Sequence, residues 1–432
     1  MSLTTIPTAA ANASTSTVNG EQPNPQSIPT YQQVIQYKLD DISTNYPIPD
    51  SYFPPLINNT LLLAATGQYT TRVPVWCHRQ AGRFLPEFRE VRSHIDFFSL
   101  CQNPIMACEV TLQPIRRYDF DGSIIFSDIL VIPQCIGLVV EMHAGKGPVL
   151  PNPIKKPDDM QRLRLNISES EIRDTLNYVF RAVTLTRTLL NGVCPLIGFS
   201  GAPFTLMCYM TEGGGAKTYN TARTWFLLYP AATHQLLQLL TDVIVTYLIA
   251  QVEAGAQMLE LFDTWASELS YHVFIKFYLP YLKQIPARIK QSLRDRNLTV
   301  VPITLFAKDS HFIYDIITRE TQFDCMSLDI GVDRVHVRQQ LNSSSRSITI
   351  QGNLEPCTLY ANDDVIRSET RLMLDEFGTQ NYIANLGHGM LPDHSPEKLG
   401  VFIDEVHRYS ELLNQQRSTD TNQSITEQST TV

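Results

Sequence analysis

The sequence predicts one α/β domain folded as a (β/α)8 TIM-type barrel, with disordered extensions at its N- and C-terminal ends. Three observations carry this. Short apolar runs of strand length recur along the chain. Stretches of helical periodicity separate most of them. Almost every run ends in a residue capable of chemistry, as the strands of a barrel enzyme do.

The runs cover residues 73–77, 123–127, 195–199, 257–262, 300–306, 325–328, 348–350 and 382–384. They are rich in Val, Ile, Phe or Leu and continuous rather than alternating, the pattern of strands covered on both faces. The clearest helical stretch is 231–251, where Leu236, Leu237, Leu239, Leu240, Ile244 and Leu248 recur at helical spacing. Others are 171–190, 268–294 and 364–377. Strands that alternate with helices pair in parallel. Eight such units in about 360 residues fit a closed barrel with insertions. The alternative, an open doubly wound sheet, usually carries a GxGxxG after its first strand; none follows the first run here.

The first thirty residues are Ser-, Thr-, Ala-, Asn- and Pro-rich, with one acid, Glu21, and no arginine. Such a segment buries too little apolar area to order itself. Residues 1–50 are therefore expected to be a disordered extension, 53–413 the barrel, and 415–432 a disordered polar tail. The extension lacks the apolar core of a secretory signal and the arginines of a mitochondrial presequence. The cytoplasm is the expected location, with a Ser/Thr-rich plastid-type leader as the alternative reading. No apolar run approaches the ~20 residues of a membrane span. The net charge of −9 argues against a nucleic-acid partner, although local arginines can still hold a small anion. The eight cysteines form no CxxC pair, and their spacing suits free thiols rather than zinc or a disulfide framework.

Each run is followed by a candidate group. After the first come His78, Arg79 and Arg83; after the second, Asp128. Ser200, Gly201 and then Tyr209 follow the third, and Asp263 and Thr264 the fourth. Lys308, Asp309 and His311 follow the fifth, Asp329 the sixth, Gly352 and Asn353 the seventh, and Asn385 and His388 the eighth. Arg79, Arg83, Arg89 and Arg92 fall within fourteen residues, where Gly82 and Pro86 interrupt any long helix. Guanidinium groups are permanently charged and bind carboxylates as two-pronged forks. The cluster reads as a grip for a polyanion, or as a solvated helix face in which Glu87 and Glu90 pair with Arg83 and Arg92. Asp128, in FSDIL, must be paired, protonated or functional among its apolar neighbours. Burial would raise its pKa and a nearby arginine lower it. His388 lies between two glycines, and Gly213–Gly215 reads as a lid hinge or a plain flexible loop. Tyr209 and Thr264 offer neutral hydroxyls.

Jointly these pieces resemble one family. PVWCHRQAGRFLPEFR (74–89) and GFSGAPFTLMCYM (198–210) resemble the two signatures of uroporphyrinogen decarboxylases. IIFSDIL (124–130), FAKD (306–309), QGNLEP (351–356) and IANLGHG (383–389) follow in family order, so the resemblance covers roughly 53–413. It implies a homodimeric barrel that removes four acetate carboxyl groups from uroporphyrinogen III, giving coproporphyrinogen III in haem biosynthesis, with no metal and no organic cofactor. It implies that Asp128 and Arg79 are catalytic. Asp128 would face the pyrrole N–H groups. Arg79, Arg83 and Arg92 would contact carboxylates, with Ala81 on the same loop. Tyr209, Thr264 and His388 would touch the substrate's periphery, and Phe199 and Phe262 would pack against the tetrapyrrole.

The chain departs from the family pattern at His78 (usually Met), Phe84 (Tyr), Thr264 (Ser), Glu355 (Asp) and Ile330 (Trp). His78 adjoins Arg79; it either adds a titratable group beside the grip or fills the methionine's space pointing away, and the latter is expected. Two other classes compete. A corrinoid-linked methyltransferase needs a His-x-Cys zinc site, and no His-x-Cys occurs. A non-catalytic porphyrin binder is disfavoured by the presence of Arg79, Arg83, Asp128, Tyr209 and His388 together.

Overall fold

The computed structural model describes residues 28–143, 147–343 and 346–429. Its core is a curled sheet of seven parallel strands, each paired with the next along the chain. The strands are β1 (Ser123–Ile124), β4 (Leu196–Gly201), β5 (Met258–Phe262), β6 (Ile303–Phe306), β7 (Cys325–Ser327), β8 (Thr349–Leu354) and β9 (Tyr382–Leu386). Between β1 and β4 lies an antiparallel hairpin, β2 (Glu141–His143) and β3 (Gly147–Val149).

The first expected strand, 73–77, closes the ring but is not a regular ladder strand. Val75 bridges Ala384 of β9, the Ala384 amide donates to Pro74 O, and the Asp121 amide donates to Val75 O. The physical reason lies in its amides. Pro74 has none to give, Val73 donates to Ser410 Oγ and Val75 to Asp121 Oδ2, both at 2.9 Å. Strands β4, β8 and β9 run past the apolar runs that signalled them. Their polar ends are paired within the protein. Gly352 and Asn353, read as following a strand, lie inside β8, where Asn353 donates to the Asp329 carbonyl and the neighbouring Gln351 to Ser327 and Glu260.

Helices Glu169–Thr175 with Asn177–Leu189, Pro230–Glu253, Leu279–Asp295 and Asp363–Phe377 form part of the outer ring, as the periodicity predicts. One correction concerns Pro230–Glu253, which is long and apolar enough to cross a membrane by length and composition. Most of its apolar window is buried inside the protein, as a helix packed on a barrel requires.

The extensions also differ from expectation. Residues 1–27 lie outside the described residues, but 28–50 are laid over the barrel instead of being disordered. Ile28, Val34, Ile42 and Ile48 are buried. The Ile48 amide donates to Glu253 O at 2.8 Å, and Arg116 Nε to Pro29 O at 2.6 Å. Four well-spaced apolar anchors suffice where the average composition of the segment suggested none. The final helix, Pro396–Ser429, continues through most of the expected tail, with no proline or glycine after Gly400 to stop it. All eight cysteines are free, Cys357 alone being exposed.

Candidate active site

The C-terminal ends of the strands open on a cavity of about 480 Å³, adjoined by a second of about 750 Å³. Both fall in the size range of small-molecule sites. Arg79, Ala81, Asp128, Phe199, Tyr209, Phe262, Thr264 and His388 line the inner cavity. Arg83 and Arg92 line the outer one, which also reaches Arg79 and Ala81. The expected site residues, from distant parts of the chain, thus share one cleft. The strand-end residues His311, Asp329 and Asn353 do not line it. Asp329 instead joins His311 (3.0 Å), the Asp309 amide (2.7 Å) and the Gly331 amide (2.7 Å) into a network beside the rim.

Asp128 is delivered by a short chain of causes. Asn103 caps helix Pro104–Arg117 through the Ile105 and Met106 amides. On that helix Thr111 donates to Ala107 O and accepts the Phe126 amide at 2.9 Å, fixing the segment after β1. Asp128 Oδ2 is buried with no partner among the described residues. Burial pushes the carboxyl up to about 6, with the Leu130 and Ile129 amides opposing only in part. No ion pair of Asp128 exists among the described residues. Of the two opposing effects expected on its pKa, desolvation wins.

Arg79 sits in the left-handed region, with φ of 61°. Its side chain is held against Gly389, where an added Cβ would fall 2.4 Å from Arg79 Cδ. Burial, then the neighbouring Arg83 charge, lower its pKa, while Tyr209 opposes. The helix-face alternative for the arginine cluster does not occur. Glu87 pairs with Arg117 at 3.0 Å and Glu90 with His94 at 3.1 Å. Arg89 turns away to the Arg83 and Phe84 carbonyls. Arg92 donates to Ile95 O and lies over the Phe97 ring. Arg79 and Arg83 have no carboxylate partner among the described residues. Burial, with Arg79 beside it, lowers the His388 pKa, so the ring is neutral near pH 7. Burial first raises that of Tyr209, which keeps its proton.

Helix Pro203–Glu212 starts on a proline at N1 and ends on Gly213 in the left-handed conformation (φ 88°), setting Tyr209 on the cavity wall. Gly214 bridges Val149 of the hairpin, whose Met142, His143, Gly147 and Pro148 line the outer cavity. The glycine triplet therefore joins the helix to a flap over the cleft.

His78 overturns its expectation. It does not point away: it lines the inner cavity, buried, with Nε2 3.0 Å from Glu260 Oε1. Glu260 escaped the sequence reading, although a lone acid inside the apolar run MLELF was the signal available. Phe306 and Trp265 also line the cavity unforeseen.

A buried carboxyl with one oxygen unpartnered among the described residues, beside aromatic rings and Arg79, with Arg83 and Arg92 in the adjoining cavity at the C-terminal mouth of a parallel barrel, places this protein among barrel enzymes with a cleft for polyanions. The family model described as uroporphyrinogen decarboxylase (URO-D) matches residues 56–409. Relatives described as uroporphyrinogen decarboxylase from Ovis aries and Homo sapiens are each 49% identical over 363 residues, covering 84% of this chain and 97% of theirs. One from Salinibacter ruber is 48% identical over 358 residues, covering 83% and 98%. Among solved structures, a methyltransferase from Methanosarcina mazei superposes with a TM-score of 0.64 at 18% identity, over 82% of this chain and 98% of that one; this likeness concerns the fold alone. The chain belongs to the uroporphyrinogen decarboxylase family.

Proposed function

We propose that this protein removes the four acetate carboxyl groups of uroporphyrinogen III as CO2, yielding coproporphyrinogen III. The observation that carries the reading is the Asp128 carboxyl, its Oδ2 buried and without a partner among the described residues, in a cavity lined by Phe199, Phe262 and Arg79. A carboxylate leaves as CO2 only if its bonding electrons find a sink. A pyrrole protonated on the ring carbon next to the acetate-bearing position becomes cationic and accepts them. A second protonation turns the exocyclic methylene into a methyl group. The ring needs an anion near its N–H groups, and Asp128 supplies it once ionised. Preorganised groups of this kind lower the barrier by roughly 2.7–4 kcal/mol each. Arg79 and Arg83 hold the acid arms, each charged hydrogen bond being worth about 1.5–3 kcal/mol.

The test is anaerobic incubation with uroporphyrinogen III, without added metal, followed by separation of products by carboxyl number. Hepta- to tetracarboxylates are expected; recovery of the octacarboxylate alone would sink the reading. A homodimer belongs to the same proposal and rests on the family resemblance; light scattering that returns the mass of one chain would remove it.

A further inference from the structure

The barrel interior holds an ionisable pair that this reading leaves without a role. His78 is 4% exposed and stands where the family signature carries Met. Its imidazole lies in a hydrogen-bond chain whose direction can be worked out. Trp76 Nε1 can only donate, and it meets Gln351 Oε1 at 2.9 Å. The Gln351 amide nitrogen is thereby turned toward Glu260 Oε1 and Oε2, at 3.3 and 3.2 Å, and Ser327 Oγ at 3.0 Å. Glu260 therefore accepts throughout, and His78 presents Nε2–H to it. Nδ1 is the position whose proton can vary, and it is buried with no partner among the described residues. The rings around the imidazole, Trp76 at 5.0 Å, Phe262 at 5.8 Å and Phe306 at 4.8 Å, offer no proton in exchange. This is the arrangement of a histidine oriented by a carboxylate, with one nitrogen left for chemistry.

We infer that His78, backed by Glu260, is a further catalytic residue of this chain: it lends the proton that activates the pyrrole carbon and takes it back at the end. The inference rests on the decarboxylation proposed above. The Nδ1–H bond breaks and a C–H bond forms at the ring carbon, so the positive charge passes from imidazolium to pyrrole. Neutral His78 and ionised Glu260 then leave one negative charge beneath the new cation. The bond to the carboxylate breaks, its electron pair forms the exocyclic double bond, and CO2 leaves a neutral ring. A proton from water completes the methyl group and returns the charge to the ring. His78 removes the ring proton, which restores the pyrrole and the imidazolium. The net change per arm is one proton consumed and one CO2 released.

The charged and titratable groups around His78 come from several elements. Glu260 is on β5, and its charge helps raise the Cys325 thiol of β7. Arg79 is the next residue along the chain. His388, from the loop after β9, and Asp128, after β1, line the same cavity as His78. Phe306 is the contact from β6.

The test is kcat and KM for uroporphyrinogen III across pH, measured in parallel for wild type, His78→Met, His78→Gln and Glu260→Gln. Wild-type kcat should fall as pH rises and the imidazolium is lost. Both His78 variants should lose roughly 10²-fold in kcat, keep KM within about twofold, and lack that limb. Glu260→Gln removes the acceptor that orients the imidazole, so kcat should fall while KM stays within about twofold. His78→Met with wild-type kcat, or with a lower kcat and the same limb, would overturn the inference while leaving the decarboxylase reading standing. A wild type that turns nothing over removes that reading and this inference with it.

Discussion

Asp128 illustrates how one residue trades stability for chemistry. Its carboxyl titrates at about 6 in the folded protein, raised by burial from 3.8. A raised carboxyl stabilises the fold fully below its unfolded pKa and loses that contribution as pH climbs through the folded one. The ionised group therefore costs the fold up to about 3 kcal/mol at pH 7. Asp128→Asn should leave the fold intact, raise the melting temperature by a few degrees at pH 7 but not at pH 4, and abolish most turnover; unchanged turnover would reject its assigned role. Arg83→Lys keeps the charge and loses the fork. It should raise KM for the octacarboxylate by about tenfold, with a smaller effect on the less carboxylated intermediates. An equal effect on all of them would count against a carboxylate grip.

Between elements, the site depends on close approach of two loops far apart in sequence. Arg79 follows the closing stretch of the barrel, and Gly389 follows β9. These neighbours bridge through Val75 and Ala384. The loop ends then converge until the Arg79 stem occupies the space a side chain at 389 would need. Gly389→Ala should fold normally yet swing the Arg79 guanidinium out of place, lowering kcat/KM by roughly 10²-fold. A variant with wild-type kinetics would show that Arg79 has room to relax. The two signatures that hold these residues are thus coupled by packing, a connection invisible in either one alone.

Across the whole molecule, the segment 28–50 behaves as a strap fastened under the barrel. Arg187 joins it by donating to Asp50 Oδ1 at 2.9 Å and to Gly255 O at 3.1 Å, while lying over the Phe53 ring. Ile48→Ala should lower the urea midpoint by the equivalent of about 2–4 kcal/mol, with kcat unchanged because the strap lies far from the cleft mouth. An unaltered midpoint would mean that the strap is only draped there.

The sequence by itself determined the alternation of strands and helices, and hence a parallel barrel with its chemistry at the strand ends. Period and residue type are local properties, and local properties survive in a string of letters. It also exposed the arginine cluster, Asp128 and His388, because charge and glycine stand out in apolar surroundings. Only the tertiary structure decided which groups share the cleft and which way they face. His78 is the clearest case. Read beside its neighbours it looked like a filler, yet it spans the interior to Glu260, 182 residues away. The Asp329 network, equally polar and equally placed at a strand end, turned out to serve the rim. Side-chain direction and desolvation depend on what the rest of the chain packs around a residue. They also set the pKa of Asp128 and the partner of His78, and no window of sequence contains them.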